Sequence, residues 1–185
     1  MQTGSPKRHW TDQELVALPR DGRKYELLGG ELVVSPTGVQ HGYISVRLVV
    51  ALAQFVAPHR LGVVVDSSTG FRMKSGDCLS PDVSFVRTHR VRSQGGITPK
   101  FFQGAPDLAV EVISPRESRR RLKLKLSAYF ENGTQLAWVV NPGGQTVSVY
   151  TSVDEVEVLG PTDQLRGGSL LPGFVFPIQE LFEIW

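Results

Sequence analysis

Two carboxylates stand where a sheet-forming chain normally puts valine or leucine. Asp82 opens the apolar run Asp82-Val-Ser-Phe-Val86, and Glu111 lies inside Asp107-Leu-Ala-Val-Glu-Val-Ile113. The β-branched content and turn-forming flanks of both runs predict short buried strands. An ionised carboxylate taken out of water without a partner costs several kcal/mol or shifts its pKa upward, so two of them in neighbouring strands require a cation between them.

A hard divalent ion suits that place. Mg²⁺ takes oxygen ligands, often through only one or two carboxylates, and keeps its remaining positions for water and phosphate. Lys125 offers a second kind of cation. With residues 117–132 taken as a helix, Leu122, Leu126 and Tyr129 fall at i, i+4 and i+7, an apolar stripe facing the sheet. Lys125 sits on the rim of that stripe, from which its ammonium can lean toward the acids. Acid, acid, metal and amine together suit phosphodiester hydrolysis: the metal polarises a phosphoryl oxygen and activates a water, and the lysine stabilises developing charge or orients the nucleophile. Each residue also has an ordinary structural alternative, namely a Pro-Asp turn, a glutamate paired to a nearby arginine, and a solvated helical lysine.

The order Pro81-Asp82, Glu111-Val-Ile-Ser-Pro115, Lys125 and Tyr129 on a helix, then Ala137-Trp138-Val-Val-Asn141-Pro142 resembles the Uma-two family of restriction-endonuclease-like proteins. That family is common in bacteria and belongs to the PD-(D/E)XK nuclease superfamily. The resemblance runs from about Tyr25-Glu-Leu-Leu-Gly-Gly-Glu31 through His41 to Leu170-Leu-Pro-Gly-Phe174, nearly the whole chain. In the superfamily's usual motif the lysine follows the second acid by two residues, where this chain has Ile113. The resemblance implies that the lysine has moved to the following helix as Lys125, and that Glu26 and His41 lie near the edge of the site. Arg121 stands where similar proteins carry aspartate, and Leu136 where they carry glutamate.

What the resemblance implies is a single α/β domain over residues 1–185 with a restriction-endonuclease-like fold. A mixed central β-sheet is expected between helices, with an additional hairpin and meander. Asp82 and Glu111 are the expected metal ligands, with the carbonyl of Val112 completing the shell. Lys125 is the expected catalytic amine, and Glu26 and His41 are further catalytic candidates. The expected reaction is Mg²⁺-dependent hydrolysis of nucleic-acid phosphodiesters, DNA foremost, with Mn²⁺ as a substitute ion. A homodimer is the default assembly, so that two sites address two strands. A nucleic-acid-binding module that keeps the fold without cleaving is the competing expectation, and a hydrolase of smaller phosphate esters is a third.

Composition bounds these readings. A chain of 185 residues fits one domain with a core that needs no staples. Hydrophobic residues at 41% and charged residues at 21% argue against disorder or a collagen-like chain. Cys78 is the only cysteine, which excludes an intrachain disulfide and a zinc motif and leads us to expect a reducing cytoplasm. The amino-terminal residues lack a signal-peptide core, and no run approaches about eighteen apolar residues, so no membrane span is expected. A net charge of +2 is too small to argue for nucleic acid, but its distribution says more. Arg116, Arg119, Arg120, Arg121, Lys123 and Lys125 crowd one stretch against Glu117. Such a stripe either neutralises backbone phosphates or is a solvated helix face, and its closeness to Glu111 favours the first.

The remaining punctuation predicts the other elements. Thr11-Asp-Gln-Glu14 is a capping box, and Gly29-Gly30 a hairpin turn between Tyr25-Glu-Leu-Leu28 and Glu31-Leu-Val-Val34. Residues 39–57 form the longest predicted helix, with Ile44, Leu48, Leu52 and Phe55 as its stripe. Strands are expected at 61–66, 69–73 and 82–86, and a basic loop with His89, Arg90, Arg92 and Lys100 at 88–104, a candidate substrate flap. Strands at 135–140, 146–150 and 154–159 read as a meander that covers one side of the sheet or serves a dimer. Residues 177–185 read as a short amphipathic helix that buries Leu181, Phe182 and Trp185.

Overall fold

The computed structural model describes residues 10–19, 24–35, 38–114 and 118–183. Its elements begin with α1 (Asp12–Val16), the hairpin β1 (Lys24–Leu28) and β2 (Glu31–Ser35), α2 (Val39–Val56), and β3 (Gly62–Asp66). Two-residue strands β4 (Phe71–Arg72) and β5 (Cys78–Leu79) lead into β6 (Val83–Arg87), α3 (Thr88–Ser93) and β7 (Phe102–Gln103). β8 (Leu108–Val112), α4 (Arg119–Glu131), β9 (Leu136–Asn141), β10 (Thr146–Tyr150) and β11 (Val156–Leu159) follow. β12 (Gln164–Arg166), β13 (Val175–Pro177) and a 3-10 turn, Ile178–Leu181, close the chain.

Local chemistry sets the punctuation. Thr11 accepts from the Glu14 amide at 3.2 Å while Glu14 accepts from the Thr11 amide at 2.9 Å, so the predicted capping box forms in full. Gly29 and Gly30 both have positive φ, +61° and +81°, the backbone that a two-residue hairpin turn requires.

β11-β10-β9-β8-β6-β3 form a six-stranded mixed sheet, parallel only between β8 and β9 and antiparallel elsewhere. A parallel neighbour needs a long crossover, and α4 supplies it. Strand alternation then sorts the side chains. Leu108, Val110 and Val112 join one core, where α2 contributes Ile44, Leu48, Leu52 and Val56, and Trp138 stacks on Phe174 at 5.7 Å. Ala109 joins the opposite core with Leu126 and Tyr129 of α4, roofed by a second sheet ordered β2-β1-β5-β4-β7. Glu111, aligned with Val139, therefore enters the layer between α4 and the second sheet.

Three expectations change. Residues 88–104 are not one loop, because α3 and β7 occupy its two ends. Arg90 turns inward from α3, 3.1 Å from Asp107 and donating to the Ala105 carbonyl at 2.8 Å, so it ties the segment to the domain. The meander covers no face: β10 and β11 extend the central sheet edgewise, with Val147 opposite Leu159. The carboxyl-terminal segment is β13 plus a 3-10 turn that buries Ile178 and Leu181, while Trp185 falls outside the described residues. Among the described residues α2 alone has the length and apolarity of a membrane span, and its stripe is spent on the central sheet.

Candidate active site

The site forms at the end of the central sheet where four elements meet. Asp82 precedes β6, Glu111 lies on β8, Glu26 on β1, and Lys125 on α4, with relative exposures of 4%, 7%, 2% and 6%. Lys125 does not ride the rim of its helix. It shares the buried stripe with Leu126 and Tyr129, and its ammonium donates to both Glu111 oxygens at 3.0 and 2.9 Å. It also meets Glu26 Oε2 at 2.9 Å. One turn on, Tyr129 donates its hydroxyl to Glu111 Oε1 at 2.5 Å, so α4 places an amine and a phenol on the same carboxylate through the i, i+4 relation.

Asp82 is held from three sides. Its Oδ2 accepts from the Val112 amide at 2.8 Å and lies 2.9 Å from His41 Nε2 in the first turn of α2. Its Oδ1 accepts from the Lys24 ammonium at 2.8 Å. Lys24 sits two residues before Glu26 on β1, hence on the same strand face, and lies 4.0 Å from Glu26 Oε1. Glu26 Oε1 in turn accepts from the Ser80 amide at 2.9 Å. Glu26 is thus central to the cluster, not at its edge.

Three carboxylates therefore share two ammoniums in a buried pocket. Burial alone opposes ionisation of Asp82, but the His41 contact and the Lys24 charge outweigh it and hold Asp82 well below the usual carboxylate range. Burial pushes Glu111 the other way, with Asp82 and Glu26 adding to it beyond what Lys125 and Lys24 return. Burial likewise works against both lysines, yet the carboxylates prevail. Glu111 and Glu26 carry Lys125 far above an ordinary lysine, and Glu111, Glu26 and Asp82 raise Lys24. Burial and the Glu111 charge raise Tyr129, which remains a phenol and a donor.

The donor chemistry fits a hard divalent ion. Asp82 and Glu111 offer carboxylate oxygens, the acids outnumber the ammoniums three to two, and Mg²⁺ commonly takes only one or two protein carboxylates. Among the described residues no group of three or more His, Cys, Asp or Glu makes a ready-formed metal cage. Val112 contributes its amide to Asp82, and Arg119, Arg120, Arg121 and Lys123 line the exposed face of α4, while Arg116 lies outside the described residues. Two cavities of about 670 and 610 Å³ lie apart from these acids, the first lined by Arg87, His89 and Arg92, the second by Val63, Phe71 and Phe101.

Lys24 is the functional-looking residue that sequence reasoning passes over, whereas Tyr129 is read there in the helix stripe and the family motif without a role at the site. The spacing Lys24-x-Glu26 on a strand and Lys125-x-x-x-Tyr129 on a helix were the available signals.

A mixed sheet with a parallel strand-helix-strand unit, flanked by helices and carrying two acids at one end, has the architecture of the restriction-endonuclease-like nucleases, with the lysine here supplied by the helix. The chain belongs to the Uma2 family, described as "Putative restriction endonuclease", whose family model matches residues 12–179. It is similar to the crystal structure of a "putative nuclease belonging to DUF820" from Anabaena variabilis ATCC 29413. The two share 25% identity with a TM-score of 0.81, over 94% of this chain and 97% of the other. No curated protein matches the chain.

Proposed function

We propose that the protein is a metal-dependent endonuclease that hydrolyses DNA phosphodiesters, with Asp82 and Glu111 as the ligands of Mg²⁺ or Mn²⁺. The observation that carries this reading is the pairing of Glu111 with Lys125 across the β8-α4-β9 crossover, beside an Asp82 kept ionised by its partners. The bound ion would polarise the scissile phosphate and lower the pKa of a water.

The chain's own groups divide the remaining work. His41 and the Val112 amide fix the orientation of Asp82, and Tyr129 fixes Glu111. Lys125, its pKa raised far above the ordinary value, stays an ammonium through the working pH range. It therefore serves as a fixed positive charge for the charge that develops on phosphorus oxygens, not as a proton acceptor. Arg119, Arg120, Arg121 and Lys123 on the exposed face of α4 supply backbone phosphate contacts. A homodimer would bring two such sites to the two strands of a duplex, which light scattering at working concentration tests directly.

The experiment is nicking of supercoiled plasmid with Mg²⁺ or Mn²⁺, run beside Asp82→Ala, Glu111→Ala and Lys125→Met with folding checked by circular dichroism. Metal-dependent nicking is expected in the wild type, reduced about 100-fold or more in each variant. DNA binding without cleavage under every divalent ion would give the function to a non-cleaving binding module instead.

A further inference from the structure

We propose that Lys24 is an exchangeable counter-ion: its ammonium holds Asp82 Oδ1 in the metal-free protein and yields that oxygen when a divalent cation binds. The inference rests on the metal-binding reading of Asp82 and Glu111 above and adds a residue that competes with the ion.

The bookkeeping of oxygens leads to Lys24. Asp82 Oδ2 is committed to His41 at 2.9 Å and to the Val112 amide at 2.8 Å. Oδ1 is the oxygen left for an ion, and Lys24 Nζ stands on it at 2.8 Å. Mg²⁺ binds a carboxylate oxygen at about 2.0–2.1 Å and Ca²⁺ at about 2.3–2.6 Å, so neither ion can share Oδ1 with the ammonium without like charges meeting at close range.

The two lysines of the cluster are not equivalent. Lys125 is enclosed by Glu26 and Glu111 with three contacts of 2.9 to 3.0 Å. Lys24 has one short contact, on Asp82, and a second at 4.0 Å to Glu26, and its side chain is 11% exposed. It also stands at the first residue of β1, where the backbone is held by one strand pair to Ser35 of β2. Both side chains are almost equally buried, 11% and 8% exposed, so what separates the two ammoniums is their contacts: on leaving Asp82, Lys24 keeps Glu26 within reach. Lys125 has no such alternative, because any departure strips two carboxylates together. The cluster is thus arranged for one ammonium to stay and one to exchange.

The test measures cation binding without turnover. Isothermal titration with Ca²⁺ and Mg²⁺ in the absence of DNA is compared between the wild type, Lys24→Met and Lys24→Arg. Lys24→Met is expected to bind about tenfold tighter or more, because the competing charge is gone, and Lys24→Arg to return toward the wild-type affinity. Equal or weaker binding by Lys24→Met overturns the exchange while leaving the metal site in place. Absence of binding in all three proteins removes the metal reading itself, and the exchange with it. A second measurement on the wild-type chain keeps the proposal open to refutation even where Lys24→Met folds poorly. Reductive methylation read by mass spectrometry is expected to label Lys24 faster when Mg²⁺ is saturating. Labelling of Lys24 that stays the same or slows on adding the ion contradicts the exchange.

Discussion

Removing the Lys125 ammonium leaves Glu26 and Glu111 as buried carboxylates whose nearest remaining ammonium, Lys24, lies 4.0 Å from Glu26 and is engaged with Asp82. Breaking a buried pair in this way costs about 3–5 kcal/mol, because the penalty is the stranded charge and not the lost attraction. Lys125→Met is therefore expected to lower the melting temperature by about 10 °C, given about 2–4 °C per kcal/mol for a domain of this size. Thermal unfolding followed by circular dichroism reads this directly, and a shift of only a degree or two would mean that water reaches the pocket. Glu111→Gln should be milder at neutral pH, about 1 kcal/mol, for a physical reason already visible in the wild type. Burial favours the neutral form of this side chain, and in the variant Lys125 keeps Glu26 at 2.9 Å. Cys78 illustrates a buried group whose favourable neighbour is outweighed: burial, helped by the nearby acids, overrides the Arg72 charge and pushes the thiol up to about 11. It should resist thiol reagents at pH 8 in the folded protein and react on unfolding.

At the scale of elements, what could be read in advance was local, and what could not was the result of contacts distant in sequence. The capping box at Thr11, the turn at Gly29-Gly30 and the stripe of α2 are set by neighbours within one or two turns; the first two appear as expected, and the stripe does so through Ile44, Leu48 and Leu52, with Val56 and not Phe55 as its fourth buried residue. β5 and β7 are two-residue strands that exist only because the second sheet pairs them with β1 and β4, so no periodicity announces them. The placement of Asp82, Glu111 and Lys125 in one cluster followed from apolar runs that enclosed charges. Lys24 carried no such contradiction, since a lysine at the start of a strand is unremarkable until Asp82, distant in the chain, is found 2.8 Å away. The exposed face of α4 yields its own prediction. If Arg119, Arg120, Arg121 and Lys123 neutralise four phosphates, replacing all four with glutamine should reduce the slope of log binding constant against log salt by about 3 to 4. Fluorescence anisotropy with labelled duplex across a salt series measures that slope, and an unchanged slope would place the nucleic acid elsewhere on the surface. Such a variant retains the acids and Lys125, so its metal affinity should stay as in the wild type.

For the whole molecule, the cluster is a polar tie among β1, the strand ends of β6 and β8, α2 and α4, elements that otherwise meet through two separate apolar cores. Its protonation should therefore act on global stability. Asp82 has a folded pKa depressed below the ordinary aspartate value of about 3.9, so its contribution is complete above that value and is lost as pH falls toward the folded one. Glu111 has the opposite sign, since its folded pKa is raised: protonating it favours the folded state, and stability declines as pH rises through the interval between its unfolded and folded values. The two carboxyls consequently separate by pH. Asp82→Asn should be less stable than the wild type by about 3 kcal/mol at pH 7, because Lys24 then keeps only the 4.0 Å contact to Glu26. That gap should close as the pH drops below about 4, where the wild type begins to lose the same contribution. Urea unfolding of the two proteins at a series of pH values from 7 to 3 gives the comparison. A gap that stays constant across the series would mean that Asp82 is not held ionised by Lys24 and His41, and that the five elements are joined by packing alone.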